Sequence, residues 1–507
     1  MSLNSISTKV GLGATSIYTA NMVNLFLSTI SLAILTNFLS TTDIGIIAGI
    51  RIITFGIASI IGLSLAQTAS RFASNYISIG DENKARGFSK QCLFIVVLLS
   101  FVFFLILIIL SEDISSIFFN NKIDSSWLAI SALNLVSFSI TQVLIGIMWG
   151  QNRMPVASSY QIIASLLRNI LSISMVIYGM GVFGAIIGYL LADLLINFLL
   201  LRNLSGFLKG ATDYSSSDDL FKFVIPLFIS SFIIFFQLNL DKIFVQLNLG
   251  LPYLGVYNIA VIATSVASFI PQSISFALIP ALSGLLSKND SEGFISLSRS
   301  YTRYISIIVI PASFGIAALS PFLLKIFGAQ YVIGSSSLAI VAIFVGLSCP
   351  IAVYTGQLIS NGNTKLIMTS NILGLFTLIA ITPVLIANFE MFGAALGKSI
   401  MSGIIFLSLI LFVKIKGFFT IDYRSYFASI FSSLMLSILL YSVIIVTSSY
   451  NFQFLLVLFL IPILFTLHLM ILRLSNSLNE SDFQFFKELL PEKLQPIVIF
   501  ASKIALN

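Results

Sequence analysis

The hexapeptide FGAIIG at 183–188 returns as FGAALG at 392–397, an offset of 209, each time opening an apolar run after a short connection. Neighbouring landmarks recur at nearly the same distance. WGQNRMP at 149–155 answers to ISNGNTK at 359–365, about 211 later, as a tight turn between two apolar runs. LSTTDIGIIAGI at 39–50 aligns with LGLPYLGVYNIA at 249–260 through Gly45 and Gly255, 210 apart, and the charged GDENKARG at 80–87 with KNDSEGF at 288–294. Four landmarks at one offset mark a chain written twice.

The repeated unit lives in lipid. Of 507 residues 58% are hydrophobic and 9% charged, where a soluble domain carries roughly a quarter charged. Fourteen runs of about twenty apolar residues, enough to cross a hydrocarbon layer about 30 Å thick, fall at 11–39, 44–69, 93–110, 128–149, 156–178, 181–201, 223–246, 254–284, 304–325, 335–359, 366–387, 391–413, 426–446 and 453–472. A spanning segment must satisfy its own backbone, so these are expected to be helices. The expected fold is an all-α integral membrane protein. An N-lobe (1–203, six spans) and a C-lobe (221–413, six spans) are joined by a polar linker (204–220), with two extra spans in 414–473 and an amphipathic tail at 474–507. Six is even, so the lobes are expected to share orientation as a parallel repeat.

Basic residues set the direction of insertion. With the N-terminus inside, 20 of the 26 Lys and Arg fall in alternate connections on one face, and the other face holds only Lys122 and Lys325. Both termini are therefore expected in the cytoplasm, in the cytoplasmic membrane. The net charge of +7 reports topology, and no nucleic-acid partner is expected. Cys92 and Cys349 show no disulfide or metal-ligand spacing, and the lone His468 is expected to pack. No metal site is expected. The tail, with Phe483, Phe485, Phe486, Leu489 and Leu490 among charged residues, is expected to lie along the membrane surface.

Six further ionisable residues stand inside spans: Arg51, Arg168, Asp193, Asp241, Lys242 and Lys398. Each costs roughly 2.5–3.5 kcal/mol at the centre of a lone helix, so each is expected to pair, reach an interface or line a wet cavity. At about 1.5 Å per residue, Arg168 and Asp193 reach matching mid-depth on consecutive spans, as either a structural ion pair or a coupling site. Asp241 and Lys242 are neighbours about 100° apart on a helix, so one is expected to face a cavity or a helix neighbour and the other the interface. Pro271, well inside the eighth span, is a candidate gating bend. Gly184–Gly188 and Gly393–Gly397 have the spacing of close helix contacts.

LTNFLSTTDIGIIAGIRII at 35–53 with the basic loop to Lys90, FKFVIPLFISSF at 221–232, and LNLDKIFVQLNLGLPYLGVYNIA at 238–260 resemble the oligosaccharide and polysaccharide flippases of the multidrug/oligosaccharidyl-lipid/polysaccharide (MOP) exporter superfamily. The last stretch carries the family's Asp-basic pair, Leu-Gly turn and Gly-x-Tyr. The resemblance covers roughly residues 5–415. It implies a V-shaped pair of lobes around a cavity, alternating access, and a polyprenyl- or dolichyl-diphosphate-linked oligosaccharide as cargo. It also implies a cavity lined by the first, second, seventh and eighth spans, with Arg51, Asp241, Lys242 and Lys398 as cavity candidates beside Asn21 and Asn24 of the first span. A cationic pocket suits a diphosphate. No cofactor is expected beyond H+ or Na+ for coupling. Membrane lipids and pathway glycosyltransferases or a polymerase are the expected partners. The alternative is an ion-coupled multidrug/cation antiporter of the same superfamily, whose cavity should be acidic. A membrane-bound enzyme would need catalytic groups on sizeable outer loops, and the longest, about 111–127, is short, so no enzyme activity is expected.

Overall fold

The computed structural model describes residues 3–213, 217–447, 453–475 and 477, and among them every regular element is a helix. By packing, the chain divides into Met1–Asn258 and Ile259–Asn507. The first unit contains α1 (Leu3–Leu35), α2 (Thr41–Ile79), α3 (Glu82–Ile109), the short α4 (Ser111–Phe119), α5 (Ser125–Gly150), α6 (Met154–Met175), α7 (Gly181–Leu208), α8 (Ser217–Leu249) and the first turns of α9 (Leu251–Ser287). The second contains the rest of α9, α10 (Ser291–Ala318), α11 (Ser320–Lys325), α12 (Ser335–Leu347), α13 (Ile351–Ser360), α14 (Thr364–Ile415), α15 (Tyr423–Val446) and α16 (Gln453–Leu474).

Among the described residues eleven segments are long and apolar enough to cross a membrane, and two of them, Met154–Leu208 and Thr364–Ile415, are 55 and 52 residues long. Both are hairpins. A Cβ on Gly188 would meet the Ser172 backbone nitrogen at 2.5 Å, and one on Gly397 would meet the Thr382 hydroxyl at 2.3 Å. The two paired-glycine motifs thus let the arms of each hairpin touch. Each of the fourteen expected runs lies mainly on helix, the run 11–39 ending in a turn after Leu35 and the run 335–359 broken at 348–350. The amphipathic tail lies almost entirely outside the described residues.

The duplication is visible in the backbone itself. Asp81 (φ −91°, ψ 73°) caps α3 by accepting from the Lys84 amide, and Asp290 (φ −88°, ψ 81°) caps α10 by accepting from the Gly293 amide. Both the caps and their donors stand 209 apart. The left-handed Asn152 (φ 57°) before α6 matches Gly362 (φ 72°) before α14. At the tips of the hairpins Gly181 (φ 54°, ψ −139°) matches Glu390 (φ 49°, ψ −131°). The same turn is built twice, once with the residue that tolerates it and once without.

The copies differ elsewhere. α5 runs unbroken from Ser125 to Gly150, whereas its counterpart is split into α12 and α13, with Pro350 as the cap of the second piece. A ring without an N–H ends the ladder there. Pro271 lies buried in α9, which is helical across it. Within the second unit α15 packs on α10 and α16 on α15. His468 serves that joint: it is fully buried, with Nδ1 2.7 Å from the Ser432 hydroxyl and Nε2 3.2 Å from the Ile307 carbonyl.

Two outcomes follow from the turns. Glu390→Gly should raise the thermal unfolding temperature of the purified protein, by relief of about 1–3 kcal/mol of backbone strain, and Gly181→Glu should lower it comparably; equal melting of E390G and wild type would show the turn to be unstrained. The Lys84 amide, chiefly, holds the Asp81 carboxylate below its ordinary range, against a smaller opposing effect of desolvation. The stability it contributes is complete above the ordinary carboxylate range and is lost as pH falls through the lowered value. Asp81→Asn should flatten that part of a melting-temperature profile taken against pH.

Candidate functional site

In the first unit four helices bring charged and aromatic side chains together. α6 and α7 form the hairpin just described, α7 packs on α5, and α5 packs on α2. From α2, the exposed Arg51 lays its guanidinium 5.6 Å from the ring of Phe55, one turn along, and 5.5 Å from the ring of Tyr189 on α7. Phe55 meets Phe138 of α5 at 4.9 Å between centroids and the edge of Tyr189 at 6.0 Å. The guanidinium of Arg168 also sits on Phe138, 5.0 Å from the centre of its ring. Arg168 donates from Nε and Nη2 to Oδ1 of Asp193, at 2.7 and 2.6 Å.

Two cations, one anion and three rings therefore share one site. Asp193 is fully buried, and its Oδ2 has no hydrogen-bond partner among the described residues. Each cation–π contact contributes about 0.5–2 kcal/mol, more as water is excluded, which offsets part of the cost of charge in lipid. Tyr189 and Asp193 are four apart on α7 and share a face. One turn further Asn197 donates to the Ser137 carbonyl and hydroxyl, at 2.8 and 2.9 Å, and accepts from Thr141 at 2.8 Å. That closed network fixes α7 against α5, and with it the azimuth of Asp193.

The sequence places Arg168 and Asp193 at one depth, and the structure joins them. It adds what the sequence did not show: Arg51 belongs to the same cluster, linked through Tyr189, Phe55 and Phe138. No periodicity singles out these rings, since apolar faces here are full of aromatics. Only the four-residue steps 51–55 and 189–193, pairing a charge with a ring, hint at them.

A second buried acid lies in the α8–α9 hairpin. Asp241 is fully buried and accepts from the Tyr257 hydroxyl at 2.8 Å, across the turn at Gly250 (φ 91°). Lys242 is half-buried. Of the alternatives for this pair, Asp241 takes the helix neighbour. The motif that carried the family resemblance, Asp-Lys followed by Leu-Gly and Gly-x-Tyr, is thus a brace whose acid and phenol bind each other. In α1, which packs on α6, Asn21 is exposed and Asn24 half-buried, with its Oδ1 unpartnered among the described residues. Lys398 is half-buried in the second arm of α14. Cys92 and Cys349 are buried thiols.

A model of the polysaccharide biosynthesis protein family matches residues 34–336, more than half of the chain. Among solved structures the chain is similar to the lipid II flippase MurJ in an inward closed conformation (15% identity, TM-score 0.70, covering 94% of this chain and 99% of that one). It is similar as well to an inward-facing multidrug resistance MATE transporter of the MOP superfamily (15%, 0.68, 80% and 97%). A third likeness is to a MOP transporter from Pyrococcus furiosus, described by the reversed polarity of its binding pocket (14%, 0.54, 80% and 95%). No curated protein matches the sequence. The fold is that of the MOP transporters, and the chain, a multi-pass membrane protein by its apolar helices, belongs to the polysaccharide biosynthesis protein family.

Breaking the buried pair from one side should be costly. Asp193→Ala leaves Arg168 unpaired and should destabilise by about 3–5 kcal/mol, whereas joint replacement with Arg168→Met and Asp193→Leu should be near neutral. Unfolding of the three proteins in one detergent checks this, and equal loss in the single and double variants would show that the pair is not coupled.

Proposed function

We propose that the protein moves a polyprenyl- or dolichyl-diphosphate-linked oligosaccharide from the inner to the outer leaflet of the cytoplasmic membrane by alternating access, with both termini in the cytoplasm. The observation that carries this is the Arg51 cluster. Arg51 is exposed, and flat rings on two helices hold its guanidinium in place. A planar fork positioned beforehand suits a diphosphate better than a mobile point charge. With Arg168 close by and Asp193 already engaged, the cluster carries net positive charge. An organic cation would be repelled there, which speaks against the drug-antiport alternative. No bond of the cargo changes. Pro271 is offered as the bend of α9 during the cycle, Arg168–Asp193 as the group through which H+ or Na+ acts, and the glycosyltransferases or polymerase of the glycan pathway as partners.

Reconstituted vesicles holding a diphosphate-linked glycolipid with a fluorescent sugar, quenched from outside, give the test. Wild-type protein should expose the label to quencher. Arg51→Glu should reduce the rate at least tenfold, and Arg51→Lys should fall between, since it keeps the charge and loses the fork. Export of cationic dyes without movement of any glycolipid would overturn the proposal.

A further inference from the structure

Two glycines of the repeat rest on each other's helix. Gly45 lies in the second turn of α2, and a Cβ there would stand 2.0 Å from the Leu251 carbonyl oxygen. Gly255 lies in the second turn of α9, and a Cβ there would stand 2.1 Å from the Thr41 carbonyl oxygen and 2.9 Å from the Gly45 nitrogen. Ordinary carbon–oxygen contact is about 3.3–3.6 Å. Neither position admits even a methyl group. Thr41 and Leu251 are separated by 210, as the glycines are, so the contact is reciprocal, in the way a two-fold interface pairs i with j and j with i.

Other contacts gather at the same end, where the connections carry few basic residues. The Gln246 side-chain amide of α8 donates to the Phe118 carbonyl near the end of α4. The rings of Phe118 and Phe119 cover Gly49, one turn beyond Gly45. Asp241 and Tyr257 tie α8 to α9, so Gln246 and Gly255 are presented by one braced hairpin. Such a contact of backbone on backbone has no flexible side chain to yield. It is made or it is broken, and packed contacts of this kind switch rather than deform.

We propose that Gly45 and Gly255 form a seal at the basic-poor end of the helices, closed in this conformation and parted in the opposite one. Glycine is needed at both positions for closure and not for folding. A side chain at either place acts as a wedge that populates the state open at that end. This holds whatever the cargo is, and its test needs no substrate.

Spin labels on Asn37→Cys and Asn248→Cys, both exposed and flanking the contact, report the separation of the α1–α2 connection from α8 at that end by double electron–electron resonance. The two native cysteines are buried, and serine replaces them as a background. Gly45→Ala and Gly255→Ala should each add a longer-distance population, to similar extents, and the valine variants should make it dominant. Gly206→Val on α7, where an added Cβ meets nothing within 4 Å, should leave the distribution as in wild type. Unchanged distances in folded alanine variants, a response from only one glycine, or failure of even the alanine variants to fold would each overturn the proposal, the last by making the contact a fixed part of the fold.

Discussion

The ion pair between Arg168 and Asp193 is the interaction around which the first unit is arranged. A charge in a hydrocarbon layer can stay only if another charge, a ring face or water receives it. Asp193 uses the first of these and Arg168 the first two, through Phe138. Satisfying them draws in α5, α6 and α7, and the rings that complete the set extend to Arg51 on α2. An apolar pair of similar size would hold these helices as well, because burying ions costs about what their attraction returns. What the ions supply is orientation: a fixed guanidinium near an exposed one, with a single acid to offset them and a net positive charge left over.

Duplication supplied the frame, and its departures from symmetry show where each copy was specialised. Caps and turns match to within about ten degrees in Asp81 and Asp290, and in Gly181 and Glu390. Backbone geometry of this kind resists drift, since a cap or a left-handed turn has few solutions. Side chains within the spans do not match. Asp241 stands at a repeat position occupied by Ser31, and Arg51 at one occupied by Val261. Charge is placed copy by copy, on a backbone held in common.

Much of this was legible in the sequence, for physical reasons that differ by feature. Spans are readable because lipid demands long apolar helices with few exceptions. The repeat is readable because Gly45, Gly255 and the FGAIIG and FGAALG motifs sit where backbones touch, and only small residues serve there. Even the partnership of Arg168 with Asp193 followed from counting rise per residue. What stayed hidden needed azimuth, and not depth. Asp241 and Lys242 have the same depth, and the partner that takes Asp241 is Tyr257, sixteen residues on and beyond the turn at Gly250. Tyr189 and Phe138 were invisible for the same reason. The expected bend at Pro271 lies within a helix that continues across it, and it is at Pro350 that a span is interrupted.

The seal and the charged cluster are joined by one helix. Gly45 and Arg51 are six residues apart on α2, about 9 Å along its axis, with an unbroken buried stretch from Ile44 to Ile50 between them. On the other side of the contact, Gly255 and Tyr257 stand on α9, and Tyr257 grips Asp241 next to Lys242 on α8. Each glycine is thus two turns or fewer from an element that carries a cation. Parting the glycines would separate the α8–α9 hairpin from the end of α2, and with it Lys242 from the helix that bears Arg51. The spacing between these two cations would then change with the state of the contact. Closure and affinity would be linked through helix geometry, and a single rigid contact could govern both.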